Sequence, residues 1–290
     1  MKKLLVSLAA AFVTAGAAAA PASPVPAGPI YLEYTGQEQI AINGSYTYNA
    51  NGAKEINWGV FVVTSMGPGN ISSPNDLITK DASELPFFTN LVSGGQITGM
   101  FYGIQAGEPT LGNAFPATSG YLDLYWRDSK TYAASGKNGS PNIRCGFDCA
   151  TGYTEGVLLA HLYFDSGKDA FSSTNTIVGS QVPTGVKKFE GSASAYMSVD
   201  MSKKGLWSEA LDGDWFASEQ GPRDLRFDNV YTTNHGWDGK TIADKNDPNI
   251  LGAQMNAGSG QAYALPEPGA LSLMGLALIG MGAALRRRRG

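Results

Sequence analysis

The chain has 290 residues, 21 of them basic and 25 acidic, with a formal net charge of −4. That balance disfavours nucleic acid and anionic lipid as partners. Two cysteines are too few for a disulfide-dense scaffold, and the two cysteines at C-x3-C spacing with two histidines far apart in sequence lack the paired spacing of a zinc site.

Met1 to about Ala22 has the three parts of a secretory signal peptide: basic Lys2 and Lys3, an apolar stretch from Leu4 to Val13, and small residues from Ala15 to Ala22. Cleavage after Ala19 or after Ala22 fits the small-x-small rule. Cleavage after Ala20 is disfavoured because Pro21 would lie just past the cut. The expected body runs from residue 23 to 253. Seven runs within it alternate apolar and polar residues with the period of a half-buried strand. They span Gln39–Tyr48, Ile56–Thr64, Gln96–Gln105, Gly120–Trp126, Gly156–Phe164, Ser192–Asp200 and Asp224–Tyr231. Aromatic and β-branched residues are frequent in them, as strands favour. Turn clusters separate them, such as Met66-Gly67-Pro68-Gly69-Asn70 and Gly136 to Pro141. A short helix is expected near Asn75–Asn90, capped by Asn75 or Ser83 and ended by Pro86. Gly120–Ser129 and Gly156–Ser166 look faintly alike, too little for a repeat. The expectation is one all-β domain, an antiparallel β-sandwich or jelly-roll. A tether of small residues over 254–264 follows it.

Candidate sites in this body are few. Cys145 and Cys149 in Arg-Cys-Gly-Phe-Asp-Cys are expected to form one disulfide that pins a local turn. Alternation puts His161 on the face of Leu159 and Tyr163, as a partly buried, hydrogen-bonded residue. His235 sits in an exposed turn. No nucleophile elbow, Walker loop or dinucleotide fingerprint occurs. Glycoside hydrolysis needs two facing carboxylates, for which Glu155, Asp165, Glu190, Asp212 and Asp214 are candidates. The sequence does not choose among them, and no enzymatic activity is expected. Asp212 and Asp214, and Asp244 and Asp247, are weak calcium candidates. Aspartate is also a common turn former, and that reading takes precedence. No cofactor is expected. Trp58, Trp126, Trp207, Trp215 and Trp237 could stack on sugars if exposed, but most tryptophans of such a fold are core.

The C-terminal segment 265–290 carries the most information. Pro266-Glu267-Pro268 disfavours helix. An uncharged apolar run from Ala270 to Leu285 follows, and Arg286, Arg287, Arg288 and Arg289 come after it. Those sixteen residues reach roughly 24 Å as a helix, slightly short of a bilayer core, with snorkelling arginines making up the difference. The arginine cluster places this end in the cytoplasm and the body outside. This order resembles the PEP-CTERM sorting signal, over about a tenth of the chain. One departure is Gly269, where many members carry Ala or Ser. The resemblance implies recognition by an exosortase, cleavage near Pro266-Glu267-Pro268, and delivery to the cell surface or extracellular matrix of an exopolysaccharide-making Gram-negative bacterium.

The expected partners are therefore the export translocon, signal peptidase, an exosortase, the inner membrane transiently, and exopolysaccharide. Without Lys2, Lys3, Glu267 and the four arginines, the body keeps 15 basic against 24 acidic residues, a net of −9. The expected role is structural or adhesive, in biofilm or floc. The alternatives are a carbohydrate-binding module, a polysaccharide-acting hydrolase, or a plain single-span anchored protein.

Overall fold

A computed structural model describes residues 25–48, 53–72, 77–111, 115–128, 144–146, 149–186, 188–233 and 247–266. The first strands are β1 Gly28–Ala41, β2 Thr47–Tyr48, β3 Lys54–Glu55, β4 Asn57–Ile71, β5 Ile78–Lys80 and β6 Phe88–Thr89. Then come β7 Gly95–Ala106, β8 Ala117–Thr118, β9 Tyr121–Asp128, β10 Arg144–Gly146, β11 Cys149–Ala150 and β12 Val157–Asp165. The last are β13 Ile177–Gly185, β14 Lys188–Val199, β15 Leu225–Thr233 and β16 Ile250–Ala264, with a single helical turn, α1, at Ser208–Leu211.

The strands pair antiparallel, and their ladders close on themselves. β1 lies between β16 and β4. The circuit continues from β4 through β7, β9 and β12 to β14. It returns through β15 to β16. β14 changes partner midway: Ala195 pairs with Ile177 of β13, and Tyr196 pairs with Asp165 of β12. β8 bridges β7 to β13 at that end. The all-β, antiparallel expectation holds. The eight strands of this circuit enclose the core as one closed sheet, a barrel.

Alternation decides what points inward. From β1, Ile30, Leu32 and Tyr34 enter the core, joined by Phe61, Ile97, Phe101, Leu122, Leu124, Phe164 and Phe227. Tyr34 stacks on Phe227 at 4.8 Å between ring centroids and tilts against Phe61 at 5.0 Å. Glycines in register on the neighbouring strands make room for these rings. A Cβ at Gly258 would lie 2.0 Å from the Tyr34 ring, and one at Gly99 would lie 2.2 Å from the Phe61 ring. The outer face of β4 and β7 carries a smaller apolar cluster of Trp58, Val60, Met100 and Tyr102, which Ala150 and Tyr153 pack against.

The barrel has two distinct poles. Gly28 pairs with Ala264 at one, where the chain enters and leaves. Ala41 pairs with Ile250 at the other.

Three expectations need correction. The stretch 254–264 is not a tether; it is most of β16, which pairs with β1 and β15 along its length. No helix forms over the described part of 75–90. Ile78 is fully buried, and its N–H donates to Gln261 Oε1 at 3.1 Å, which holds this segment against the sheet as β5. The first strand begins at Gly28, well before Gln39, and it ends at a turn in which Asn43 has φ of 55°.

Candidate functional site

The inward alternation of β1 continues past Tyr34 through Gly36 and Glu38 to Ile40, which places a carboxyl in the interior. Glu38 is 3% exposed. Asn57 at the start of β4 donates from Nδ2 to Glu38 Oε2 at 2.9 Å, and Asn229 of β15 donates from Nδ2 to Oε1 at 3.4 Å. Burial raises the Glu38 pKa from 4.5 to about 7, against the lowering effect of the two amides. The amide oxygens of Asn57 and Asn229 are buried with no hydrogen-bond partner among the described residues.

These three side chains line a cavity of about 90 Å³. Its other walls are largely apolar, with Ile40, Phe101, Ile104, Phe164 and Phe227 prominent. Ile40, Asn57 and Ile104 are register partners near the Ala41–Ile250 end of the strands, so the cavity sits at the pole opposite the chain ends. Tyr231 reaches it from β15, and burial holds its phenol well above the usual range.

A second polar cluster lies on the outer face. His161 of β12 pairs in register with Asp123 of β9, and its Nδ1 makes a very short contact with the Asp123 carboxylate. The Tyr102 and Tyr125 hydroxyls each donate to Asp123 Oδ2 at 3.3 Å, and Lys203 Nζ lies 3.6 Å from the same oxygen. His161 Nε2 faces Asp200 at 3.5 Å, and Tyr121 stacks on the imidazole at 5.2 Å. Asp123 is completely buried and His161 is 5% exposed. Asp123 thus joins Tyr102 of β7 and His161 of β12 to its own strand β9, which fits a strut fastening the three. Leu159 does not share the face of His161. A bulge between Leu158 and Ala160 turns Leu159 into the main core.

The residues expected to carry chemistry are dispersed. Arg223 Nε lies 3.2 Å from Asp165, and Arg127 Nη1 lies 4.0 Å from Glu155. Glu190 is on β14 opposite Thr232. Asp212 caps the end of α1. Asp214, at φ 50°, donates its N–H to Asp224 at 2.8 Å. Asp247 accepts from the Asn249 N–H at 2.8 Å in the turn that opens β16. Among the described residues, no group of three His, Cys, Asp or Glu gathers as a cation site. Trp58, Trp126 and Trp207 are buried, and the half-buried Trp215 stacks on Tyr263 at 4.0 Å.

Cys145 and Cys149 lie on β10 and β11, which pair antiparallel. Their side chains are outside the described residues, as are Asp244, His235, Trp237, Glu267, Pro268 and Arg286 to Arg289. Pro266 is exposed, just past Leu265, whose N–H donates to Ala210 O at 2.7 Å. Among the described residues no helix is long and apolar enough to cross a membrane.

Sequence reasoning missed Glu38, Asn57 and Asn229. The signal was present in the alternation Tyr34, Gly36, Glu38, Ile40, but it shows only once β1 is known to start at Gly28. In comparison with known proteins, no family model, curated protein or solved structure matches the chain.

Proposed function

We propose that this chain is an exported surface or extracellular-matrix protein, held transiently in the inner membrane and released by an exosortase. Its mature body is then a non-catalytic β-barrel with a structural or adhesive role in exopolysaccharide, biofilm or floc. The translocon and signal peptidase handle the N-terminal end, and the exosortase handles the other.

The observation that carries this reading is where the fold stops. β16 ends at Ala264, one residue before Leu265 and two before the Pro-Glu-Pro tripeptide. The N-terminal apolar segment likewise precedes β1. Cutting near either place removes no strand of the barrel. The acidic body and the scatter of the candidate carboxylates support a role in display over one in catalysis. A sugar-binding surface built on tryptophan is not favoured, since three of these rings are core.

Replacing Pro266, Glu267 and Pro268 together by alanine tests the reading. The expected result is full-length protein held in the inner membrane, with the unaltered chain shortened and outside the cell. Equal processing of both chains would contradict it.

A further inference from the structure

We infer that the cavity at the pole opposite the chain ends is a binding site for a small primary alkylammonium. Its charged head would lie at Glu38, Asn57 and Asn229, and its apolar body along Phe101, Ile104 and Phe164. Small closed barrels of eight strands have an interior that side chains fill or that holds one small ligand. Here they fill it incompletely, and the remaining space is mostly apolar, with Glu38, Asn57 and Asn229 among its polar lining.

The polar end is richest in acceptors, the Glu38 carboxyl and two amide oxygens, with the Tyr231 hydroxyl also on the wall. Both Asn Nδ2 groups are already committed to the Glu38 carboxyl, which directs their oxygens elsewhere. Asn229 is 4% exposed, and its Oδ1, like that of Asn57, has no partner among the described residues. Turning both amides would set two oxygens against a carboxyl that has at most one proton to donate. A protonated Glu38 has one O–H and satisfies at most one of the two amide oxygens. None of the lining residues is Lys, Arg or His, so no cationic side chain occupies the wall beside the carboxyl.

The complement is a group with several N–H donors and a positive charge. A primary ammonium has three donors. A carboxylate or phosphate ligand would meet three acceptors and no cation. A metal ion that keeps its water shell would face mostly phenylalanine, isoleucine and alanine walls, which cannot hydrogen-bond those waters. The 90 Å³ of space suits a chain of about four carbons, with anything longer leaving through the mouth.

The test uses the full chain in zwitterionic lipid nanodiscs, with empty nanodiscs as the blank. Ligand-observed NMR titrations compare n-butylamine, n-butanol and butyrate at pH 8. The expected result is saturable binding of n-butylamine, at least tenfold tighter than n-butanol, and no binding of butyrate. Glu38→Gln should weaken n-butylamine at least tenfold and leave n-butanol unchanged. Ala193→Leu, which adds bulk to the cavity wall beside Asn229 and keeps the Glu38 carboxyl, should weaken both. Circular dichroism confirms that each variant is folded. Three results would overturn the proposal: n-butanol binding as tightly as the amine, an amine affinity indifferent to both variants, or no saturable binding beyond the blank.

Discussion

Glu38 sets a pH dependence that can be read in stability. Its pKa in the folded barrel is about 7, against 4.5 in the open chain. The folded state therefore holds this proton more tightly than the unfolded state. The resulting stabilisation is complete below about pH 4.5 and is lost as pH rises through 7. Its size is on the order of 3 kcal/mol. Urea unfolding at pH 5 and pH 8 should show that loss, and Glu38→Gln should remove it. An equal pH slope in the variant would contradict the assignment. Asp123 predicts a different outcome. Asp123→Ala would leave the buried imidazole and two tyrosine hydroxyls without their shared acceptor, at a cost of about 3 kcal/mol by the same unfolding assay. The two residues also differ in legibility. His161 announced a hydrogen-bonded partner by its rarity, whereas Glu38 is one of 25 acidic residues and only its strand phase marks it.

The strands rich in aromatic and β-branched residues, such as β4, β7, β9 and β12, were legible because alternation alone identifies a half-buried surface. β16 was not. Its sequence ILGAQMNAGSGQAYA is dominated by small residues, which carry little strand propensity and resemble a linker. Those small residues are the counterpart of bulk elsewhere: Gly258 accepts the Tyr34 ring and Gly260 accepts Leu32. A complementarity between two strands more than two hundred residues apart leaves no trace in either strand read alone. Gly258→Val should therefore destabilise the barrel by about 1–3 kcal/mol or more, from overpacking against Tyr34, as measured by thermal unfolding. Deleting 254–264 should abolish cooperative unfolding altogether. A tether could be deleted with little effect, so a folded deletion variant would contradict the strand assignment. The expected helix near residues 75–90 failed for a related reason. Its local pattern was weak, and a single long-range bond from Ile78 to Gln261, with burial of Ile78, outweighs it.

In the whole molecule, closure of the ring puts residues 28 and 264 side by side. Both apolar terminal segments thus join the barrel at one pole, and the Glu38 cavity lies at the other. Release at Pro-Glu-Pro would free an intact barrel. The most direct measurement is intact mass of the native protein after separating inner-membrane and extracellular fractions. A chain beginning near residue 20 or 23 and ending near Leu265, in the extracellular fraction, is the predicted result. A chain still ending at Gly290 in the membrane would contradict sorting and leave an ordinary anchored barrel.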